Sequence, residues 1–169
     1  MIENIMEKMI KYFGNDVKRI NHAIKVYTFA MNIAKLENVE ENKMKIIQIA
    51  AILHDIGIKE SERKYNSSSG KYQEMEGPAI AKEILKNFNL EENLIERVCF
   101  LIGNHHTYTK INDVDFQILV EADFIVNIFE DDIQKQQVKS ISDKYFKTKT
   151  GTNYLESMYI SLECDCNNE

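Results

Sequence analysis

His54 and Asp55 stand side by side in AAILHDIGI, Ala50 to Ile58, at the end of an apolar run. A histidine or carboxylate carried into apolar surroundings must find a partner there, because an uncompensated polar or charged group is costly to bury. Two further residues pose the same problem. His22 falls in a helical row with Val26, Phe29 and Ile33, and Asp123 sits among Leu119, Val120 and Val126 in VEADFIVNIF. Two imidazoles and two carboxylates aimed into the core suit a divalent metal with coordination positions left open for water and substrate. Such an ion supplies the positive charge that the carboxylates lack. The plain alternative is that backbone groups and neighbouring side chains satisfy each residue separately.

The elements that would carry these residues read as helices throughout. The chain has one proline, Pro78, and few glycines, and apolar residues recur at helical spacing. Gly14 suits the end of a first helix, with Asn15 or Asp16 capping a second that runs to about Glu37. That second helix is apolar over a wide arc, with Val17, Ile20, Ile24, Tyr27, Met31 and Ala34 on one face, and is expected at the centre. A third spans Glu41 to Asp55. Pro78 suits the first turn of a fourth that reaches about Phe88, and a fifth runs from Glu91 to Ile102. A sixth, from Val114 to Phe129, is apolar nearly all round and is expected inside. Helices over Asp131 to Phe146 and Asn153 to Leu162, the latter with Thr152 as its cap, complete an all-α bundle of about seven or eight helices. The polar stretch Glu60 to Glu76 reads as a long loop, expected to act as a cationic lid through Arg63, Lys64 and Lys71 or as a solvated connection.

Composition narrows the function classes. The 169 residues suit one domain, with a core over about 17–129 and C-terminal helices over 131–162. A net charge of −6 argues against general nucleic-acid binding, which needs a basic face. The N-terminal MIENIMEKMIKYF lacks the apolar run of a signal peptide, and no stretch reaches membrane-spanning length. Three cysteines, Cys99, Cys164 and Cys166, are too few for a disulfide framework, so a cytoplasmic location is expected. The CDC pair near the C-terminus reads as a frayed tail rather than a metal ligand set.

The order His22, His54-Asp55, Asp123, spread over different helices of an all-α chain, resembles the HD-domain superfamily of metal-dependent phosphohydrolases. The resemblance covers about Val17 to Phe129. It implies a phosphomonoesterase or phosphodiesterase in which a metal-activated water attacks a small, anionic, phosphorylated substrate, with His22, His54, Asp55 and Asp123 as ligands. Mn, Fe, Co, Ni, Zn and Mg all remain open as the divalent ion. Relatives with two metals carry two further histidines. His105 or His106 in NHHTY can fill the later place, whereas Gln73 stands in the earlier one, with Glu74 or Glu76 as substitutes.

Chemistry assigns the remaining roles. Asp55 can orient the attacking water, while His105 and His106 can hold phosphate or protonate a leaving group. Arg19 and Lys25, about one turn either side of His22, and Lys59 and Arg63, after the His-Asp pair, are candidate phosphate-binding cations. Two other classes stay open: a metal-retaining regulatory domain without hydrolysis, and an iron-dependent oxygenase on the same bundle. The second is disfavoured by the missing loop histidine. Oligomeric state is not readable from the sequence.

Overall fold

The structure, a computed structural model, describes residues 1–160. Cys164, Cys166 and the expected end of the last helix at Leu162 lie outside the described residues. The described residues form nine α-helices and no strand: α1 (Ile2–Phe13), α2 (Val17–Leu36), α3 (Glu41–Leu53), α4 (Ile58–Tyr65), α5 (Gly70–Leu85), α6 (Glu92–Ile102), α7 (Val114–Glu130), α8 (Lys135–Tyr145) and α9 (Lys149–Leu155). A 3-10 turn, Tyr108–Lys110, precedes α7, and a π turn, Glu156–Ile160, follows α9.

The centre is α2 packed along both α3 and α7. α7 buries eleven of its seventeen residues, because its sequence is apolar on almost every side. Around it lies a cluster that includes Val26, Ile33, Phe116 and Leu119. A second cluster, under α1, α5 and α6, includes Ile5, Met9, Leu85 and Ile102. On α2 the buried row is His22, Ala23, Val26, Ala30, Met31, Ile33 and Ala34. Val17 and Ile24 are exposed, so the inward face is rotated from the one their apolarity suggests. No helix among the described residues is long and apolar enough to cross a membrane.

Helix ends follow local chemistry. Gly14 closes α1 at a positive φ of 64°, and the Asp16 side chain caps α2 by accepting from the Arg19 N–H. α9 starts earlier than expected, capped by Thr148 rather than Thr152, because the Thr148 hydroxyl accepts from Gly151 N–H. Its N–H and hydroxyl are in turn held by buried Glu121.

The stretch 60–76 is not a loop. α4 and α5 occupy it, leaving only Asn66 to Ser69 between them, and Asn66 ends α4 in the left-handed conformation that a tight reversal needs. α4 escaped notice because only Ile58 and Ser61 of its eight residues are buried, too little to set an apolar rhythm. Gly57 brings α4 against α5 backbone to backbone. A Cβ there would stand 2.4 Å from Gln73 O and 2.7 Å from Gly77 N. Pro78 accordingly lies inside α5 rather than in its first turn, following Gly77 at this close crossing. Of the cations expected to make a lid of it, Arg63 is paired with Glu60 and Lys64 with Glu76.

Candidate metal centre

Two helix ends build the centre in the same way. α3 stops at Leu53 and α6 at Ile102, each leaving carbonyls without an intrahelical partner. His54 Nδ1–H donates to Ala51 O at 2.9 Å, and His105 Nδ1–H donates to Ile102 O at 2.7 Å. A carbonyl can only accept, so both imidazoles are held with Nε2 bare and turned inward. Both helix C-termini also point their negative dipole ends at this place, which favours a cation.

α2 and α7 supply the rest. His22 Nδ1–H donates to Glu130 at 2.9 Å, and Lys25 steadies Glu130 from the other side. His22 Nε2 therefore converges on His54 Nε2 at 3.1 Å and on Asp123 Oδ1 at 3.1 Å. Asn127, one turn on from Asp123, donates to the same Oδ1 at 2.9 Å. Asp55 lies between two donor groups. Its Oδ2 is 3.6 Å from both His22 and His54 Nε2, and its Oδ1 is 3.4 Å from His105 Nε2. The donor atoms of His22, His54 and Asp123 lie within 4.8 Å of one another, as do those of Asp55, His105 and His106.

This donor set fits a divalent ion. Two imidazole nitrogens whose other protons are already committed cannot share a 3.1 Å contact without something positive between them. His105 Nε2 is the one buried side-chain polar atom without a hydrogen-bond partner among the described residues. Imidazole and carboxylate together suit Zn, Mn, Fe, Co or Ni.

Electrostatics agree. Burial pulls His22 down, but Asp123, Asp55 and Glu130 outweigh it and raise the imidazole to about 9. A proton on His22 thus relieves the crowding when no ion is bound, and an ion held there would replace that proton. Burial holds His54 low. Burial, then His105, hold His106 down at about 4. The His54, His105 and His22 imidazoles keep Asp55 well below the usual carboxylate range despite its burial.

The raised His22 has a consequence for metal-free protein. A folded pKa above the free value contributes stability that is complete below about pH 6.5 and lost as pH rises through about 9, on the order of 3 kcal/mol. Thermal melts of chelated protein should fall across that window, and those of His22→Gln should fall distinctly less. Equal slopes would contradict the assignment.

The centre floors a cleft of about 300 Å³ whose walls include Lys18, Arg19, Gln73, His106 and Asn127. Of the sequence-predicted phosphate cations, only Arg19 lines it, held by Asp16 and Glu62. Lys25 serves Glu130 instead. Lys59 is corrected outright: it donates to Tyr12 O at 2.7 Å and lies over the Tyr12 ring, tying α4 to α1. Arg63 is exposed and turned to Glu60, so it too lies off the cleft. Neither proposed substitute for the missing histidine reaches the centre. Glu74 accepts from His106 N–H and from the Thr107 hydroxyl, and Glu76 accepts from Lys64 and Tyr65. Gln73 itself sits 3.3 Å from His106 Nε2.

Glu130, Asn127 and Lys18 were not anticipated. The first two had a legible signal, since Asp123, Asn127 and Glu130 form a polar i, i+4, i+7 stripe on an otherwise apolar helix.

An all-helical bundle that converges histidines and aspartates from separate helices defines a class of metal-site scaffold. The HD-domain family model matches residues 19–148, and the chain belongs to that family. A crystal structure of a predicted HD superfamily hydrolase from an uncultured Thermotogales bacterium is similar over 94% of this chain and 83% of its own, with TM-score 0.64 and 24% identity. That likeness is one of fold. Comparison with curated proteins finds no match.

Proposed function

We propose that this chain is a metal-dependent phosphohydrolase for a small phosphomonoester or phosphodiester, with His22, His54, Asp55 and Asp123 holding the ion. The observation that carries this reading is the 3.1 Å approach of two inward-facing Nε2 atoms beside two aspartates, at the floor of a cleft. Membership of the HD-domain family supports it, as does the likeness to the predicted hydrolase from the Thermotogales bacterium. A cleft this small admits a phosphoryl group and the start of its ester, not a folded polymer.

A divalent ion held by these residues would lower the pKa of water and offset charge on phosphoryl oxygens. Asp55, with its oxygens divided between the two donor groups, orients the attacking water. Asp123 is kept in place by Asn127, and His22 by Glu130. Arg19 has N–H groups left over from Asp16 and Glu62 and, with Lys18, receives the anion at the mouth. His106 is neutral at pH 7, so it accepts or relays a hydrogen bond rather than protonating a leaving group. His105 turns its bare Nε2 to within 3.4 Å of Asp55 Oδ1, where it adds a further donor atom to the site. A cytoplasmic site of action fits the cysteine content.

The test is turnover by protein stripped of metal and reloaded separately with Mn, Fe, Co, Ni, Zn or Mg, using p-nitrophenyl phosphate and bis(p-nitrophenyl) phosphate. Hydrolysis of one of them that needs an ion is expected. Tight metal binding with no turnover of either ester under any ion would favour a regulatory domain instead.

A further inference from the structure

Gly70, Gln73 and Glu74 stand at i, i+3 and i+4, so one edge of the first turns of α5 presents all three. Each meets a different part of His106. Glu74 accepts from the His106 N–H at 3.0 Å and, through both oxygens, from the Thr107 hydroxyl, which fixes the backbone of the turn after α6. Gly70 seats the ring. A Cβ there would stand 2.5 Å from His106 Cδ2 and 2.6 Å from Cγ, and Gly70 has no positive φ, so the close approach alone asks for glycine. Gln73 meets the ring nitrogen, with its Oε1 3.3 Å from His106 Nε2.

The direction of that last hydrogen bond is set at the other end of the amide. Gln73 Nε2 donates to Ser68 O at 2.7 Å. A carbonyl can only accept, so the amide is held with its NH2 group towards Ser68 and its oxygen towards His106. That oxygen also can only accept, and the proton in the contact therefore sits on His106 Nε2. A flipped ring would put Cε1 at Gln73 and lose the hydrogen bond. His106 Nδ1 is consequently bare. It has no hydrogen bond among the described residues and is open to solvent, on a ring that borders the metal cleft.

We propose that Gln73 is a positioning residue for the cleft: it fixes His106 as the Nε2–H tautomer, so that Nδ1 accepts a hydrogen bond from a hydroxyl of the bound phosphoester or from a water beside it. The inference rests on the phosphohydrolase reading and names the atom through which His106 serves it. Gly70 and Glu74 hold the ring where Gln73 can reach it. His54 and His105, whose Nδ1–H groups go to backbone carbonyls, present Nε2 bare, whereas His106 presents the opposite nitrogen.

Long-range proton–nitrogen correlation spectra of the imidazoles read the tautomer directly, in chelated and in zinc-loaded protein near neutral pH, with the His106 signals assigned by their loss in His106→Ala. The unaltered protein should show His106 as the Nε2–H form alone in both states. In Gln73→Met, which keeps the length of the side chain but has no amide, the two tautomers should mix. A proton on Nδ1 in the unaltered protein, or an unchanged spectrum in Gln73→Met, would overturn the proposal. Turnover gives a second test. Gln73→Met should lower kcat for a cleaved ester by about fivefold, the worth of one misplaced hydrogen bond, and should cost nothing further in the His106→Ala background. Equal losses in both backgrounds would show that Gln73 does not act through His106, and would overturn it too. Protein that holds His106 as Nε2–H but hydrolyses no phosphoester would remove the phosphohydrolase reading and leave the hold of Gln73 on the ring standing.

Discussion

Asp55→Ala should lower turnover of a cleaved phosphoester by at least about a thousandfold, or about 4 kcal/mol of transition-state stabilisation. Asp55 is the one carboxylate with an oxygen towards each donor group, 3.6 Å from His22 and His54 and 3.4 Å from His105. On the proposed reading, its removal takes a ligand from the ion and the orienting acceptor from the attacking water together. No neighbour can replace it, since Asp123 is held by His22 and Asn127, and Glu130 is held by His22 and Lys25. His106→Ala removes one wall of the cleft and should cost far less in kcat, with the ion retained. Steady-state kcat/KM, measured with metal content on the same samples, checks both. A variant at position 55 that kept activity within tenfold of the parent would remove Asp55 from the chemistry.

Metal removal is expected to have the second large effect, on stability. The proposed ligands come from α2, the turn after α3, and α7, so an ion there would tie the central helices of the bundle together. An ion present at a hundredfold above its dissociation constant adds about 2.7 kcal/mol, and each kcal/mol moves the melting temperature of a chain this size by about 2–4 °C. Chelation should therefore lower Tm by roughly 5–10 °C, and restoring the ion should recover it. The apo protein keeps its fold, because the apolar clusters around Phe116 and Ile49 do not depend on the site. An unchanged Tm after complete removal would mean that the donors are satisfied without an ion.

Much of the bundle could be read directly because burial writes itself into helical spacing. α2, α6 and α7 fell within a residue or two of expectation, since each has a long apolar rhythm and a clear stop, such as Gly14 before α2 or Gly103 after α6. α4 could not be read this way. Its position is set by the Gly57–Gly77 approach, a tertiary contact with no local periodicity. Pro78 misled for a related reason: the preference for a first turn is a local rule, and the close crossing at Gly77 overrode it.

Within the centre, His22, His54, Asp55 and Asp123 stood out because polar groups on apolar faces are anomalous. The cations were harder. Lysine and arginine reach far on flexible stems, so spacing along α2 or after the His-Asp pair could not tell that Lys59 turns to Tyr12 O or that Arg63 turns to Glu60. Glu130 escaped notice despite its place in the Asp123, Asn127, Glu130 stripe, because next to Asp131 and Asp132 it reads as one more solvated acid; the fold places it 2.9 Å from His22.

Element analysis of the purified protein and of its Asp123→Asn variant tests the metal centre most directly. The unaltered chain should hold about one divalent ion after extensive dialysis, and the variant, which keeps the shape of the side chain but loses its charge, should retain a small fraction of it. A parent protein that holds no ion when offered Mn, Fe, Co, Ni or Zn, or a variant with undiminished occupancy, would contradict the assignment of His22, His54, Asp55 and Asp123 as ligands.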